Sequence, residues 1–517
     1  MSQIRRNLYR RKLKNHLGYA DDNDFFLMVW AAFALQNGRE QKAREFIQYP
    51  PDAATQDISS PYAAHPWKLE TLLNELLTIE KVSIRPTSQN RRLDCRKFTT
   101  LASVLNCLGG LENAEDGLTL QRINVLREMH RLTQRQFEWQ RGFVTYQQLY
   151  RSGYIYGGDL TKAHFEQQYD FSMDDFSLSC FALRAIYNEH PIIRANGGLS
   201  AVGISRETLE KIFRVISLPH DQARRMASDL RAGAGHVAYK RSVFRQYPCI
   251  AFGVRNEMIH SPLPDLIVLR GTAGLFYDVM RADGGVRNEI SDKFECYCRD
   301  LLSNYVGSGK IRRSFSYRFR GNSVDSPDII LSKDDSIRVV FECKARRMSY
   351  EAIYSENPLA EAQTAYLEIA KGVFQIWRFI SHHRRGFLRA ERVSPSVKGV
   401  VLTLDTWLTM AEPMQREVLA LAEQMATERD PEILPEDRIP VVFCPISDLE
   451  ITLSASDEAS FLAAIDAASA DEHFGWQLSA VHRQIFPDTS HGHPYPFTSR
   501  IGEVLPWWQR FVGVLHG

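Results

Sequence analysis

Apolar positions along the first two-thirds of the chain recur at helical spacing. An unbroken apolar run over 25–35, a break at Asn37-Gly38 and a mixed run over 39–47 predict a helical hairpin. It resembles a single tetratricopeptide unit, but no second copy follows at a fixed period, so a solenoid is not expected. A loop rich in Pro, Ser and Ala covers 49–66, and helical spacing resumes over 67–79. Residues 1–80 are therefore read as a helical N-terminal segment. From 81 to 285 the pattern stays mainly helical. The stretch 121–137 carries Ile123, Val125, Leu126, Met129, Leu132 and Phe137. Ser172-Met173-Asp174-Asp175 has the form of a capping box ahead of Phe176, Phe181, Leu183 and Ile186, and Ser205 is placed to cap a helix bearing Leu209, Ile212, Phe213 and Ile216. Such helix pairs are read as packing units rather than DNA readers. Strand-like runs interrupt near 247–269, at 249–254, 256–260 and 266–269, before a helix over 271–280.

From 286 the period changes. A helix over 290–305 places Ile290, Phe294, Tyr297, Cys298, Leu301 and Tyr305 on one face. Strands are predicted at 315–319, 328–331 and 337–342, a long helix at 359–381, a strand at 399–404, a helix at 414–427 and a strand at 439–443. This α-β-β-β-α-β order predicts a mixed sheet flanked by helices over 286–455. Residues 456–517 read as a helical C-terminal extension (461–468 and 476–485) ending in Trp507-Trp508. The fold class expected is thus multidomain: a mostly α-helical N-terminal region, an α/β domain and a helical extension.

Composition changes this picture little. The 517 residues exceed one hydrophobic core and fit about three domains. With 63 basic and 62 acidic residues the net charge is +1, so any nucleic-acid surface must be local. The eight cysteines are scattered without a CxxC pair; Cys296 and Cys298 are the closest, and buried thiols in a reducing compartment are expected. His491-Gly492-His493 lacks nearby partners and reads as loop. Arg5, Arg6, Arg10, Arg11, Lys12 and Lys14 precede the run at 25–35 and imitate a signal peptide. However, Asp21, Asp22 and Asp24 intervene, and eleven apolar residues are too few to span a bilayer. A cytoplasmic location without membrane partners is expected. No GxxxxGK[ST] loop occurs, so a nucleotide-driven step would need another protein.

The candidate chemistry lies at Ser326-Pro327-Asp328-Ile329-Ile330-Leu331 and Val339-Val340-Phe341-Glu342-Cys343-Lys344, joined by the polar Ser332-Lys333-Asp334-Asp335-Ser336. The two runs predict a β-hairpin. In a strand, residues i and i+2 share a face, so Glu342 and Lys344 project together while Cys343 turns away. With Asp328 on the neighbouring strand, two carboxylates and one ammonium meet. Hard carboxylate oxygens suit Mg²⁺ or Mn²⁺, and a lysine beside them can orient or deprotonate water. Context carries this reading, because Glu40-Gln41-Lys42 has the same letters in a helical pattern, where i and i+2 diverge.

These residues resemble the PD-(D/E)XK nuclease superfamily, the restriction-endonuclease-like fold, over about 286–450. The resemblance puts Asp328, Glu342 and the Cys343 backbone carbonyl in metal-ligand places and Lys344 in that of the water-activating lysine. A glutamate on the preceding helix completes the set: Glu295 is the choice and Glu289 the runner-up. Gln375-Ile376-Trp377-Arg378-Phe379 is similar to the glutamine-aromatic helix of RecB-like members, with phenylalanine for the usual tyrosine. The Phe-Glu helix, Pro-Asp strand and glutamine helix also resemble McrC-like subunits of restriction systems. The resemblance implies a Mg²⁺- or Mn²⁺-dependent endonuclease with DNA the favoured substrate, acting in bacterial restriction or antiphage defence. The alternative is a catalytically silent nucleic-acid-binding or scaffolding subunit. Phosphate contacts are expected from Arg346 and Arg347, then Arg312 and Arg313, with Lys310, Arg318, Arg320, Arg384 and Arg385 further candidates. The helical N-terminal region is expected to take a protein partner or activator, and one site per chain calls for a homo-oligomer, or two events, in a double-strand break.

Overall fold

The computed structural model describes residues 2–82, 92–119, 125–232, 235–280, 282, 284–355, 357–388, 391–406, 408, 411–488 and 492–516. Gln121, Ile123 and His491 lie outside them. The chain is helix-rich, with an α/β unit in its second half.

The predicted run at 25–35 lies in the helix Asp22–Gln36, opened by Asp21, whose carboxylate accepts from the Asp24 N–H at 3.2 Å. Apolar all round, this helix is buried all round, Phe25, Phe26, Val29 and Trp30 included. The second arm of the hairpin is only the turn Glu40–Ala43, and the helix predicted over 39–47 stops there. Ser172 and Ser205 cap the helices Met173–Glu189 and Arg206–Ile216 through the Asp175 and Thr208 N–H groups. The first core joins Leu13, Trp30, Leu72, Leu108 and Trp139 to Phe244 and Leu266.

A small sheet runs in the order Ile192–Arg194, Met258–His260, Cys249–Phe252, Ser217–Pro219. The third strand-like run is not a strand. Leu266 to Leu269 belong to the helix Asp265–Gly271, buried on every side, where a short apolar run has no period to separate the two states.

The α/β unit opens with the helix Gly284–Tyr305. Its five-stranded sheet runs in the order Val441–Pro445, Val393–Thr403, Ser336–Lys344, Ile329–Lys333, Lys310–Arg313. The first three are parallel and the last two pair antiparallel, as the α-β-β-β-α-β order requires. The predicted strand at 315–319 is Ser316–Phe319, but it pairs with Asn322–Asp325 as a separate hairpin, and Lys310–Arg313 takes its place in the sheet. Within the motif hairpin, Ile329 faces Phe341, Ile330 faces Val340 and Lys333 faces Ser336. The two-residue turn is Asp334-Asp335, with φ of 49° and 56°. Two positive φ values match the twist of a hairpin, and aspartate tolerates them.

Both faces of this sheet are covered, so the strands read as continuous apolar runs. Ile329, Leu331, Phe341 and Val400 pack on Ile290, Phe294, Cys298 and Leu301 of the helix Gly284–Tyr305. Ile330, Val340 and Val401 pack on Ile369, Val373 and Ile376 of the helix Gln363–Arg384, behind which lies Glu412–Arg429. The first of these clusters extends from Leu149 to Phe511 and runs across residues 286 and 456 without a break. No helix among the described residues is long and apolar enough to cross a membrane.

Candidate active site

The motif strand Ser336–Lys344 ends between the helix Gly284–Tyr305 and the helix Gln363–Arg384, and each contributes to what surrounds Glu342 and Lys344. Glu342 is 1% exposed. Its Oε1 accepts from Lys344 Nζ at 2.9 Å, and the same ammonium donates to Gln375 Oε1 at 3.2 Å. Residues i and i+2 of the strand and a residue on the following helix therefore meet, as the alternation of side chains requires.

Asp328 stands just before its strand, where the register that pairs Ile329 with Phe341 continues to Glu342. Its Oδ2 accepts the Cys343 N–H at 2.6 Å. The N–H and C=O of one strand residue point to the same edge, so the Cys343 carbonyl also faces the Asp328 side. The Asp328 carboxyl is hydrogen-bonded to that of Glu295, from the helix Gly284–Tyr305. The Cys343 thiol turns to the opposite face, where it meets the Cys298 thiol.

Glu289, the alternative, is occupied elsewhere. Its carboxylate accepts from the Leu160 N–H at 3.2 Å, the Thr161 N–H at 2.8 Å and the Thr161 hydroxyl at 2.6 Å. It thus closes the N-terminus of the helix Asp159–Tyr169, where a carboxylate satisfies unpaired N–H groups.

Three crowded carboxyls resist ionisation. Burial, then the charge and hydrogen bond of Asp328, and the charges of Asp292 and Glu342 push Glu295 up to about 8. Burial, with the charge of Asp328, lifts Glu342 to about 7 against the pull of Lys344. Burial also raises Asp328, although the Cys343 N–H, Lys344 and Glu295 stabilise its charged form. Burial works against the charge on Lys344, but Glu342, Asp328 and Glu368 outweigh it and hold the ammonium above its usual value. Negative charge in excess of nearby cations is a site short of positive charge.

Carboxylate and carbonyl oxygens are the donor type that suits a hard cation. The Glu342 Oε2 is buried and has no hydrogen-bond partner, and the Asp328 carboxylate and Cys343 carbonyl share one side of the strand. Among the described residues no three His, Cys, Asp or Glu side chains form a ready metal-binding group. A cation here would rest on Asp328, Glu342 and the Cys343 carbonyl, with Glu295 and water completing its shell.

Two positions escaped the sequence reading. Gly372 brings the helix Gln363–Arg384 onto the motif: a Cβ there would lie 2.9 Å from Lys344 Cε and 3.1 Å from Glu342 Cγ. Glu368 adds negative charge toward Lys344. With Gln375 they stand at i, i+4 and i+7, one helical stripe, and that spacing was the available signal.

The basic residues divide. Arg347 is 12% exposed and lies 3.5 Å from Asp405 and 3.6 Å from Glu138, so its charge is held within the protein. Arg312 makes two bonds to Glu391, at 3.1 and 2.7 Å. Arg320 pairs with Glu432, Arg384 with Asp437, Arg385 with Asp430, and Lys310 lies 3.7 Å from Asp335. Arg318 donates to the Gly321 carbonyl. Arg313 is exposed on the edge strand, and Arg346 lines a cavity beyond the end of the motif strand. Compared with known proteins, the chain matches no family model, no curated protein and no solved structure.

Proposed function

We propose that this chain is a divalent-cation-dependent endonuclease of the PD-(D/E)XK type, hydrolysing phosphodiester bonds with DNA the favoured substrate, and that it serves as an effector of bacterial restriction or antiphage defence. One observation carries the reading: the buried Glu342–Lys344–Gln375 contact lies beside Asp328 and Glu295, with one Glu342 oxygen unsatisfied. A buried polar network is costly to keep incomplete, and an ion pair alone gives it little reason to exist.

Asp328, Glu342 and the Cys343 carbonyl, with Glu295, would hold Mg²⁺ or Mn²⁺. When bound, such an ion polarises the scissile phosphate and lowers the pKa of an attached water. The residues supply the rest. Lys344 orients the attacking water with its ammonium, Gln375 and Glu342 fix the direction of that ammonium, and Gly372 leaves room for the lysine stem to lie flat against the helix. Burial and the neighbouring Asp328 favour the protonated form of Glu295, and a bound cation would favour its carboxylate, the proton passing to solvent water.

The test is cleavage of plasmid, linear and single-stranded DNA and of RNA with and without Mg²⁺ or Mn²⁺. Asp328→Ala and Lys344→Gln should abolish cleavage while circular dichroism stays unchanged. Undiminished cleavage by both variants refutes the assignment, and wild-type binding without cleavage under every condition favours the silent scaffolding subunit.

A further inference from the structure

Most of the cations that precede the apolar run at 25–35 find no partner in the fold. They lie on the helix Ser2–Gly18, which carries six arginines and lysines and no acid. Its inner face packs on the helix Phe98–Thr119. Leu13 and Leu17 are buried there, and the Tyr9 ring lies over Gly110, where a Cβ would come within 2.5 Å of it. At the margin of that face, Arg6 and Arg10 both bond Glu115, at 2.9 and 2.7 Å.

The other four face water. Arg5, Arg11, Lys12 and Lys14 are exposed, and none makes a hydrogen bond or salt bridge among the described residues. Lys12 only lies over the Tyr9 ring, 5.5 Å from its centre. By helical geometry Arg11 and Lys14 form one ridge and Arg5 and Lys12 another, with Ile4 and Leu8 between them. By contrast, Arg206 lies 3.0 Å from Glu210 and Arg416 2.9 Å from Glu412, each on its own helix. The chain as a whole is nearly neutral, with 63 basic and 62 acidic residues, so the excess charge on this helix is local.

Stability gives this face no reason to exist. Arg11 and Lys14 stand three apart and Arg10 and Lys14 four apart, spacings at which like charges repel. No acid occupies the first turn, where the helix dipole would favour one and disfavours Arg5. An external polyanion relieves both costs. From Arg5 to Lys14 is about 14 Å along the helix, a length over which duplex DNA carries about eight phosphates. A bilayer is a poorer match, because a helix lying in a membrane surface needs a broad apolar face. This one exposes only Ile4 and Leu8, while Leu13 and Leu17 point into the protein.

We propose that the outward face of the helix Ser2–Gly18 binds the phosphate backbone of nucleic acid, with duplex DNA as its occupant. Contacts to phosphate position a strand without reading its sequence, so this face anchors DNA on the helical region whatever the site at Asp328 cuts. The choice of DNA among polyanions rests on the nuclease reading above; the charge and exposure of the face do not.

The test uses the full chain in EDTA, so that binding is measured without cleavage. A short fluorescein-labelled DNA duplex is titrated by anisotropy over a range of salt concentrations. The combined substitution Arg5→Gln, Arg11→Gln, Lys12→Gln and Lys14→Gln removes four exposed charges and keeps a good helix former at each position. It should reduce the slope of log K against log salt by about three to four, and weaken binding in dilute salt by about a hundredfold or more. The control combines Arg206→Gln, Arg225→Gln, Arg416→Gln and Arg500→Gln, exposed residues each paired with an acid three or four residues away, so the net charge falls equally. It should bind nearly as the wild type does. Undiminished binding by the first variant, equal weakening of both, or no binding of the duplex by the wild type overturns the proposal. So does binding to phosphatidylserine vesicles that needs these cations and exceeds binding to the duplex. Cleavage with Mn²⁺ is read separately. A wild type that binds through this helix and cuts nothing sinks the nuclease reading and leaves the face standing, and one that cuts but binds equally well without these cations does the reverse.

Discussion

Replacing Gly372 by alanine tests the geometry at Lys344 more directly than deleting a charge. The added methyl would sit 2.9 Å from Lys344 Cε, 3.1 Å from Glu342 Cγ and 3.7 Å from Glu342 Cβ. Comfortable carbon contacts are about 3.5–4.0 Å, so the lysine stem must move by roughly half an ångström. In a helix interior glycine-to-alanine gains about 1 kcal/mol, and overpacking a full core costs about 1–3 kcal/mol. The net stability change is therefore small, from near zero to about 2 kcal/mol of destabilisation. Function has no such compensation. Displacing Lys344 Cε stretches the ammonium bonds to Glu342 and Gln375, now 2.9 and 3.2 Å. Urea unfolding should report the small stability change, while Mn²⁺ affinity by calorimetry and Mn²⁺-dependent cleavage should fall by about tenfold or more. Gly399→Ala is the control: the nearest atoms to its methyl would be those of Ile376 and Val441, at 3.0 Å, so it should destabilise without altering the site. If Gly372→Ala stabilises the protein by about 1 kcal/mol, as an unobstructed helix would, and leaves Mn²⁺ affinity and cleavage unchanged, the close approach is wrong.

Glu289→Ala should cost about 1 kcal/mol through the exposed N–H groups of Leu160 and Thr161, and should leave Mn²⁺ affinity alone; Glu295→Ala should do the reverse, and exchanged phenotypes would reassign the two. Arg347→Ala removes a guanidinium 3.5 Å from buried Asp405, whose carboxylate keeps the Thr406 and Met348 N–H bonds, so a loss of about 3 kcal/mol in urea unfolding is the upper end expected, and a fully stable variant with weaker DNA binding would instead make Arg347 a phosphate contact. His260 is 2% exposed, and burial, then the charge of His220, depresses it to about 4. Above about pH 6.5 it is neutral in both states and contributes nothing to the pH dependence. Between about 6.5 and 4 the unfolded chain binds a proton that the native state refuses, so stability falls as pH falls, by up to about 3 kcal/mol. His260→Phe should remove that part of the slope; parallel pH profiles for the two proteins would refute it.

What could be read beforehand depended on how local its cause was. The motif hairpin was legible because its period, its covered faces and its Asp334-Asp335 turn all lie within a few residues. The strand Lys310–Arg313 was not, since three of its four residues are charged, as suits a sheet edge, and the apolar pattern that marks a strand is absent. Leu266 to Leu269 misled for the opposite reason: complete burial erases the difference between strand and helix. Arginine roles were hidden because the partners of Arg312 and Arg347 lie far along the chain, at Glu391, Asp405 and Glu138. The choice between Glu289 and Glu295 shows where the limit fell. Six residues along a helix turn by about 240°, so spacing alone says that both cannot face the sheet. The apolar face does not separate them, since Glu289 is one step round from Ile290 and Glu295 one step round from Phe294. What spacing cannot supply is that the helix start at Leu160 and Thr161, 129 and 128 residues away, claims the other carboxylate. A residue becomes identifiable as a site member once its competitor's task is known, and that task was set by a contact between distant segments.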